Sequence, residues 1–495
     1  MTESLKSVCC VFRRGFHWGR GSALHSAILL TAILVAGMIS AFGFHAYVDT
    51  ATAATKDEIE NAIVLGLTWL ADQQEPEGYF GSPEDLQIYK LAQTGLAVLK
   101  FEERAKELGY DPFDENYEYH EQVENGLDYL FSATSVNGDR VDILDSAYAS
   151  TYPTSIAMMA IAASNNPDRT VGALGSPVDG WTYEEVLQGM MNWLIYAQQT
   201  DLNYPCDEGG WDYWSDPFDE YFWADQSNTG YATLALGYAA APAPHGFGLT
   251  IPQEVLERLS AYIDRVQDNM DGDNWDGGSW YEPCEKRRWV NILKTGNLLY
   301  EMALVGDDLN SERVQNAISY IENHWNDAGP QPEYPKTSLG WVDSYQAMFT
   351  IMKGFEAFGI NTIIVGGSDI DWFDQVSDVI VANQYENGYW EYLNTDITEG
   401  EESPVLRAAW AMLTLERVVP VVALPRIEIR KVDEENNLLG GATFKVEPNP
   451  YDGAELLVTD GDENDSNPTP GIILLENVPM DIYILRWWSS TPAPP

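Results

Sequence analysis

The feature that most constrains this chain is self-similarity at a period of about sixty residues, which selects repeat architectures before any single element is assigned. The apolar segment Ala62-Ile63-Val64-Leu65-Gly66-Leu67-Thr68-Trp69-Leu70 has helical spacing and is followed by Gln73-Gln74 and Gly78-Tyr79-Phe80. Partner segments occur at Asn125 to Leu130, Gly189 to Leu194, Leu259 to Ile263 and Ala317 to Ile321, each placing an aromatic before a Leu or Ile. A sixth copy, Val376 to Ile380, precedes Asn383-Gln384 and Gly388-Tyr389-Trp390.

A second set of segments, built on small residues, alternates with the first. Thr94-Gly95-Leu96-Ala97, Thr154-Ser155-Ile156-Ala157, Thr229-Gly230-Tyr231-Ala232 and Thr295-Gly296-Asn297-Leu298 match in register, with looser copies at Tyr345-Gln346-Ala347 and Ala408-Ala409-Trp410. Glycine inside a helix costs about 1 kcal/mol against alanine, so recurrent small residues at one register imply closely approaching backbones. The chain therefore reads as mainly α, with an outer amphipathic helix, a Gly/Trp/Asp-rich loop and a small-residue inner helix repeated six times over residues 55–420. The first and last repeats lack polar caps, which favours closure into a ring, an (α/α)6 toroid of six helix hairpins, over an open solenoid.

The run Ala62 to Phe80 resembles the QW repeat of squalene and hopene cyclases, in which an aliphatic helix ends in Gln and a turn supplies Gly and an aromatic. Gly209-Gly210-Trp211-Asp212-Tyr213 with Asp225 to Leu236 is similar to prokaryotic prenyltransferase/squalene-oxidase repeat proteins. The resemblance, to the terpenoid cyclase/protein prenyltransferase superfamily, implies an α/α toroid whose Gln and Trp staple one helix end to the next loop. It does not imply an activity.

The N-terminus has the pattern of an export signal, residues 1–54. Lys6, Arg13, Arg14 and Arg20 precede an apolar stretch from Ala27 to Phe44, and Ala51-Thr52-Ala53 supplies small residues for cleavage; a retained membrane anchor is the alternative. Arg13-Arg14 also fits a twin-arginine signal. The expected location is extracellular, at the cell surface or envelope. Cys9 and Cys10 fall in the signal, leaving Cys206 and Cys284 as one expected disulfide in an oxidising compartment. With 77 acidic and 27 basic residues the net charge is -50, which repels phosphate backbones and excludes nucleic acid as a partner.

After Val418-Val419-Pro420 the pattern changes to short alternating runs at 426–432, 439–446, 455–458, 471–474 and 482–485, read as a small C-terminal β-sandwich over residues 421–487 with a Pro-rich tail at 488–495. This part is similar to Cna B-type, prealbumin-like surface domains. Lys431 matches the lysine that forms an isopeptide bond in that family, but acceptor and helper residues do not match, so a spacer or stalk is expected without the bond.

Three chemistries can be weighed. Terpene cyclisation of the protonating type needs an Asp-x-Asp-Asp run, which the toroid segment lacks; the thioester toroids need Gly-Cys-Gly-Glu-Gln, also absent. Prenyltransfer needs zinc, and Cys206, Asp207, Cys284 and His324 fall in loops on one rim, though with no tight zinc spacing. Glycoside cleavage needs a carboxylate pair over an aromatic cleft. Asp145, Asp225, Asp343 and Glu402 at inner-helix starts are the candidates, with helix capping as the plainer reading. Asn269, Asp271, Asp273 and Asp276, and Asp460, Asp462 and Asn464, could hold calcium but depart from the EF-hand pattern, so solvated acidic turns are the expected reading and no cofactor is assigned.

The ligand-contact candidates are Trp211, Tyr213, Asn228, Tyr231, Trp280 and Trp341, with the polar inner-helix residues Asn291, Lys294 and Arg407 expected to line the cavity. Missing catalytic signatures in intact repeats point to a binding or structural module for an extracellular ligand: a glycan, a peptide or a hydrophobic small molecule. The alternative is an enzyme, either of the cyclase/prenyltransferase superfamily or a polysaccharide-active (α/α)6 hydrolase or lyase.

Overall fold

The computed structural model describes residues 53–143, 150–200, 205–213, 223–284, 289–327, 340–342, 344–391 and 403–420, and in the C-terminal part 427–432, 438–447, 449, 455–462, 464–465, 469–475 and 484–487. Outer helices are α1 (Lys56–Ala71), α3 (His120–Ser132), α5 (Tyr183–Ala197), α7 (Gln253–Val266), α9 (Glu312–His324) and α11 (Trp372–Ala382). Inner helices are α2 (Gln87–Leu108), α4 (Thr151–Ala163), α6 (Gln226–Ala240), α8 (Ile292–Leu304), α10 (Tyr345–Ala357) and α12 (Pro404–Glu416). Every repeat segment expected from the sequence lies inside one of these helices.

Packing runs in a closed circuit. Each inner helix contacts the next, α2 to α4, α6, α8, α10 and α12, and α12 returns to α2. The small residues make this possible: a Cβ on Gly95 would meet Ile156 at 2.4 Å, one on Gly230 would meet Asn297 at 2.3 Å, and one on Gly296 would meet the Thr350 backbone at 2.6 Å. The threonine that precedes the small residue in each of four inner helices has its own task. Thr94, Thr154, Thr229 and Thr295 Oγ1 accept the backbone N–H of Phe80, Ile143, Trp211 and Ser279 at 3.0, 2.9, 3.0 and 3.1 Å, tying each inner helix to the segment before it.

Outer helices are linked through glutamine. Gln74, Gln198, Gln267 and Gln384 each donate Nε2 to a glycine carbonyl of their own loop, Gly78, Gly209, Gly277 and Gly388. The same amide donates to a carbonyl in the first or second turn of a neighbouring outer helix: Gln122, Val255, Arg313 and Ala62. The last of these joins repeat six to repeat one. All four glycines have positive φ, between 81° and 96°, and an added Cβ would strike a backbone oxygen of the adjoining helix at 2.0–2.4 Å, so only glycine fits. Trp211 and Trp390 complete the staple by donating Nε1 to Leu194 and Ile380 carbonyls, both at 2.8 Å.

Two hairpins were not expected from the repeat pattern. β1 (Thr134–Asn137) pairs with β2 (Arg140–Ile143), and β3 (Thr362–Val365) with β4 (Ser368–Asp371), each through a two-residue turn. Gly138, and Gly366 with Gly367, take positive φ there, as such turns demand. In the C-terminal part, β5 (Ile427–Arg430) pairs antiparallel with β8 (Ile472–Leu475), and β6 (Thr443–Glu447) lies between β7 (Leu456–Thr459) and β9 (Ile484–Trp487). Ile429, Val446, Leu456, Val458, Ile473 and Leu475 form its small core. Cys206 and Cys284 are joined as the expected disulfide. Among the described residues no helix is long and apolar enough to cross a membrane; the segment 1–52 lies outside them.

Candidate functional site

In the circuit of inner helices, α6 stands opposite α12 and is separated by one helix from both α2 and α10. Hydrogen bonds between non-adjacent members therefore cross the ring's interior. About midway along the inner helices, Trp410 of α12 donates Nε1 to the Tyr231 hydroxyl of α6 at 3.3 Å, spanning the axis. Both side chains are almost fully buried.

Above this pair sits a group of partly exposed aromatics. Tyr152 packs against Tyr231 at 5.1 Å between ring centroids and against Tyr213 at 5.7 Å. The Tyr213 and Tyr281 hydroxyls lie 3.4 Å apart, Tyr281 packs on Trp289 at 5.3 Å, and the Lys294 ammonium stands 5.4 Å from the Tyr281 ring. Burial, then the charge of Asp225, raises the Tyr281 hydroxyl pKa, so it remains a neutral donor. The result is a bowl of phenol and indole faces with hydroxyl, amide and ammonium groups around it.

Asp225 lies under this bowl as the N-cap of α6. One carboxylate oxygen accepts from Ser227 N, Ser227 Oγ and Asn228 N, and the other from Asn228 Nδ2 at 2.9 Å. Burial raises its pKa and these bonds oppose the rise. Asp225 thus has the capping role foreseen as the plainer reading. Of the other carboxylate candidates, Asp145, Asp343 and Glu402 lie outside the described residues.

Of the ligand candidates, the structure brings together Tyr213, Asn228, Tyr231 and Lys294. It engages the others in the scaffold. Trp211 is wholly buried in its staple; Trp280 donates Nε1 to Asp268; Trp341 packs on Trp325 at 4.8 Å. Asn291 caps α8 by accepting the Lys294 N–H at 2.9 Å, and Arg407 donates Nε to the Trp390 carbonyl at 3.0 Å, both buried. Loop tryptophans and inner-helix polar residues are used by the scaffold first, which is why residue type alone misassigns them. Tyr152, Tyr281, Trp289 and Trp410 were missed; Trp410 alone carried a signal, as the large residue in a small-residue register.

For zinc, Cys206 and Cys284 are bonded to each other and so offer no thiolate. His324 faces Asp327 Oδ2 at 2.7 Å and the Asn274 carbonyl at 2.9 Å. The one metal-type cluster found among the described residues is Asp268, Asp273 and Asp276.

Toward the C-terminal ends of the inner helices the axis is filled by charge. Lys353 of α10 donates to the Tyr238 hydroxyl of α6 at 3.2 Å and stands 4.7 Å from the Phe349 ring. Burial pushes the Lys353 ammonium down to about 7, against the opposing pull of Glu103 on α2. Lys100 and Glu416 form a wholly buried ion pair, and Lys106 pairs with Glu103 at 2.9 Å. Glu102, fully buried with neither oxygen hydrogen-bonded, has its pKa raised well above the ordinary range by that burial. None of these was foreseen from the sequence, where Lys100-Phe101-Glu102-Glu103-Arg104-Ala105-Lys106 is a charge-rich stretch of α2. A groove of about 460 Å³ lies elsewhere, against α5 and Asp139, outside the ring.

No protein-family model and no curated protein matches the chain. Among solved structures it is similar to the type II terpene cyclase MstE from Scytonema, at 13% identity over 72% of this chain and 98% of that one, with TM-score 0.40. It is similar to the family 76 glycoside hydrolase (mannosidase) Bt3792 from Bacteroides thetaiotaomicron, at 10% identity over 72% and 97%, TM-score 0.45. It is also similar to Dfg5 from Chaetomium thermophilum, solved with glucosamine, at 13% identity over 74% and 92%, TM-score 0.45. Likenesses this distant decide nothing about activity. The ring described above rests on the chain's own helix contacts.

Proposed function

We propose that this chain is an exported cell-surface protein, a six-hairpin (α/α)6 toroid carried on a small Cna B-like β-sandwich, that binds an extracellular glycan in its aromatic bowl. The observation that supports this reading is the Tyr231 to Trp410 bond across the axis. Beyond it, Lys353 meets Tyr238 and Phe349, so among the described residues charge and hydroxyl groups reach the interior that a polyisoprenoid would need apolar, whereas a bowl of partly exposed aromatic faces suits a hydroxyl-rich ring. Hydroxyls of Tyr213 and Tyr281 and the Lys294 ammonium supply polar contacts.

A glycoside-cleaving reading draws on one observation, the raised pKa of buried Asp225, as a general acid requires. Its four accepted hydrogen bonds speak against it, since they leave that carboxyl committed to the helix. The test is calorimetry of the exported chain against a panel of soluble polysaccharides and their oligomers, with product analysis of the same mixtures. The binding reading expects saturable binding without cleavage, weakened at least about tenfold by Tyr213→Ala or Tyr281→Ala. Binding of no glycan would overturn it, and so would cleavage abolished by Asp225→Asn.

A further inference from the structure

The loop joining α7 to α8 is unlike its counterparts. Nine residues separate Gln267 from Gly277, against three between Gln74 and Gly78 and three between Gln384 and Gly388. The third repeat has a loop of similar length, which contains Cys206 of the disulfide; the fourth instead contains Asp268, Asp271, Asp273 and Asp276. From Val266 to Cys284 the chain carries no Lys or Arg.

Asp268, Asp273 and Asp276 each place a carboxylate oxygen within 4.8 Å of the others. Asp276 is oriented by the N–H groups of Gly272 and Asp273, and Asp273 by that of Trp275 at 2.7 Å. Those bonds are internal to the loop and do not by themselves require a ligand. Asp268 does. Its side chain is 6% exposed, one oxygen accepts the Trp280 indole N–H, and the other, Oδ2, is buried with no hydrogen-bond partner. A buried carboxylate with one oxygen receiving no donor, and with two further carboxylates within 4.8 Å, is expensive unless a cation meets it.

We propose that Asp268, Asp273 and Asp276 hold a calcium ion that braces the fourth-repeat loop. Three oxygens at most 4.8 Å apart share a point no more than about 2.8 Å from each, so a slight closing of the loop brings all of them to the calcium bond range of about 2.3–2.6 Å. The donors are hard oxygens in an irregular arrangement, which suits calcium better than zinc or an octahedral magnesium ion. The brace has two attachments beyond the loop. Asp268 holds Trp280, whose neighbour Tyr281 forms one wall of the bowl, and the Asn274 carbonyl meets His324 of α9. The site does not depend on what the bowl binds.

The test uses the full exported chain, stripped of metal by chelation, and terbium as a luminescent calcium substitute excited through Trp275 and Trp280. Saturable sensitised emission is expected, displaced by calcium with a midpoint between about 0.1 and 1 mM, the range of extracellular calcium modules. Asp273→Asn combined with Asp276→Asn leaves the buried Asp268 to Trp280 bond in place; it should keep the native circular dichroism and weaken calcium at least about tenfold. Asp462→Asn in the C-terminal acidic turn should change nothing. Absence of displaceable emission, wild-type calcium affinity in the double variant, or equal loss in the Asp462 variant would each overturn the site.

Discussion

Replacing Glu301 by glutamine should make this protein more stable, and only on the alkaline side of about pH 5. Glu301 is fully buried on α8, where its two oxygens both receive the Gln226 Nε2 N–H groups at 2.8 Å and no cation pairs with it among the described residues. Burial pushes its carboxyl up to about 8 from 4.5. The folded state therefore keeps a proton that the unfolded state gives up above 4.5, so folding loses stability steadily as pH rises through that window and levels off above about 8. At about 1.4 kcal/mol per pH unit the loss is under about 1 kcal/mol at pH 5 and about 3 kcal/mol at pH 7. Glutamine cannot ionise, and its amide can donate to Gln226 Oε1, a buried oxygen that accepts no bond in the native protein. Paired urea titrations followed by tryptophan fluorescence, wild type against Glu301→Gln at pH 5 and pH 7, read the difference directly. A variant no more stable at pH 7, or equally stabilised at both values, would refute the claim that Glu301 folds protonated.

Lys353→Met should show the opposite slope: the depressed lysine makes wild type gain stability between about pH 7 and pH 10, since the unfolded state holds the proton up to 10.5, and the methionine variant should lack that gain in the same urea assay. Gln384→Ala removes the bond that joins repeat six to repeat one, together with the bond to Gly388 of its own loop, and should cost about 2 kcal/mol. Gly388→Ala should cost more, about 3 kcal/mol, because its φ of 95° and the Leu65 oxygen 2.2 Å from the new Cβ are both violated; equal urea midpoints for the two variants would count against this. Reducing Cys206 to Cys284 should lower stability by about 2–4 kcal/mol, measured by melting with and without a thiol reductant.

The twelve helices were legible because period and residue size are local properties of the sequence. The Thr-Gly register also predicted close backbones, and the structure adds the reason for its threonine, a hydroxyl that accepts the preceding segment's N–H. The hairpins were readable too, from Gly366-Gly367 between alternating runs, but the helical repeat drew attention away from a period of two. What could not be read was which polar side chains face the axis. Lys100 and Glu102 lie in a charge-rich stretch that suits a wet surface and Lys353 sits on a mostly apolar helix, and only the ring's closure puts all three inside. Likewise Asp225 and Trp211 have the residue types of a site yet serve caps and staples. Their roles are set by what lies one repeat away.

Closure through Gln384 and Ala62 has a consequence for how this protein comes apart. An open array of helix pairs can peel from either terminus, one unit at a time, because its outermost units have a single neighbour. Here the unit holding α1 and the unit holding α12 each have two, so there is no weak end from which melting can start. Unfolding should be all-or-none across the ring, and a chain recut within another inter-repeat loop, with residues 56 and 416 joined by a linker, should regain the same fold.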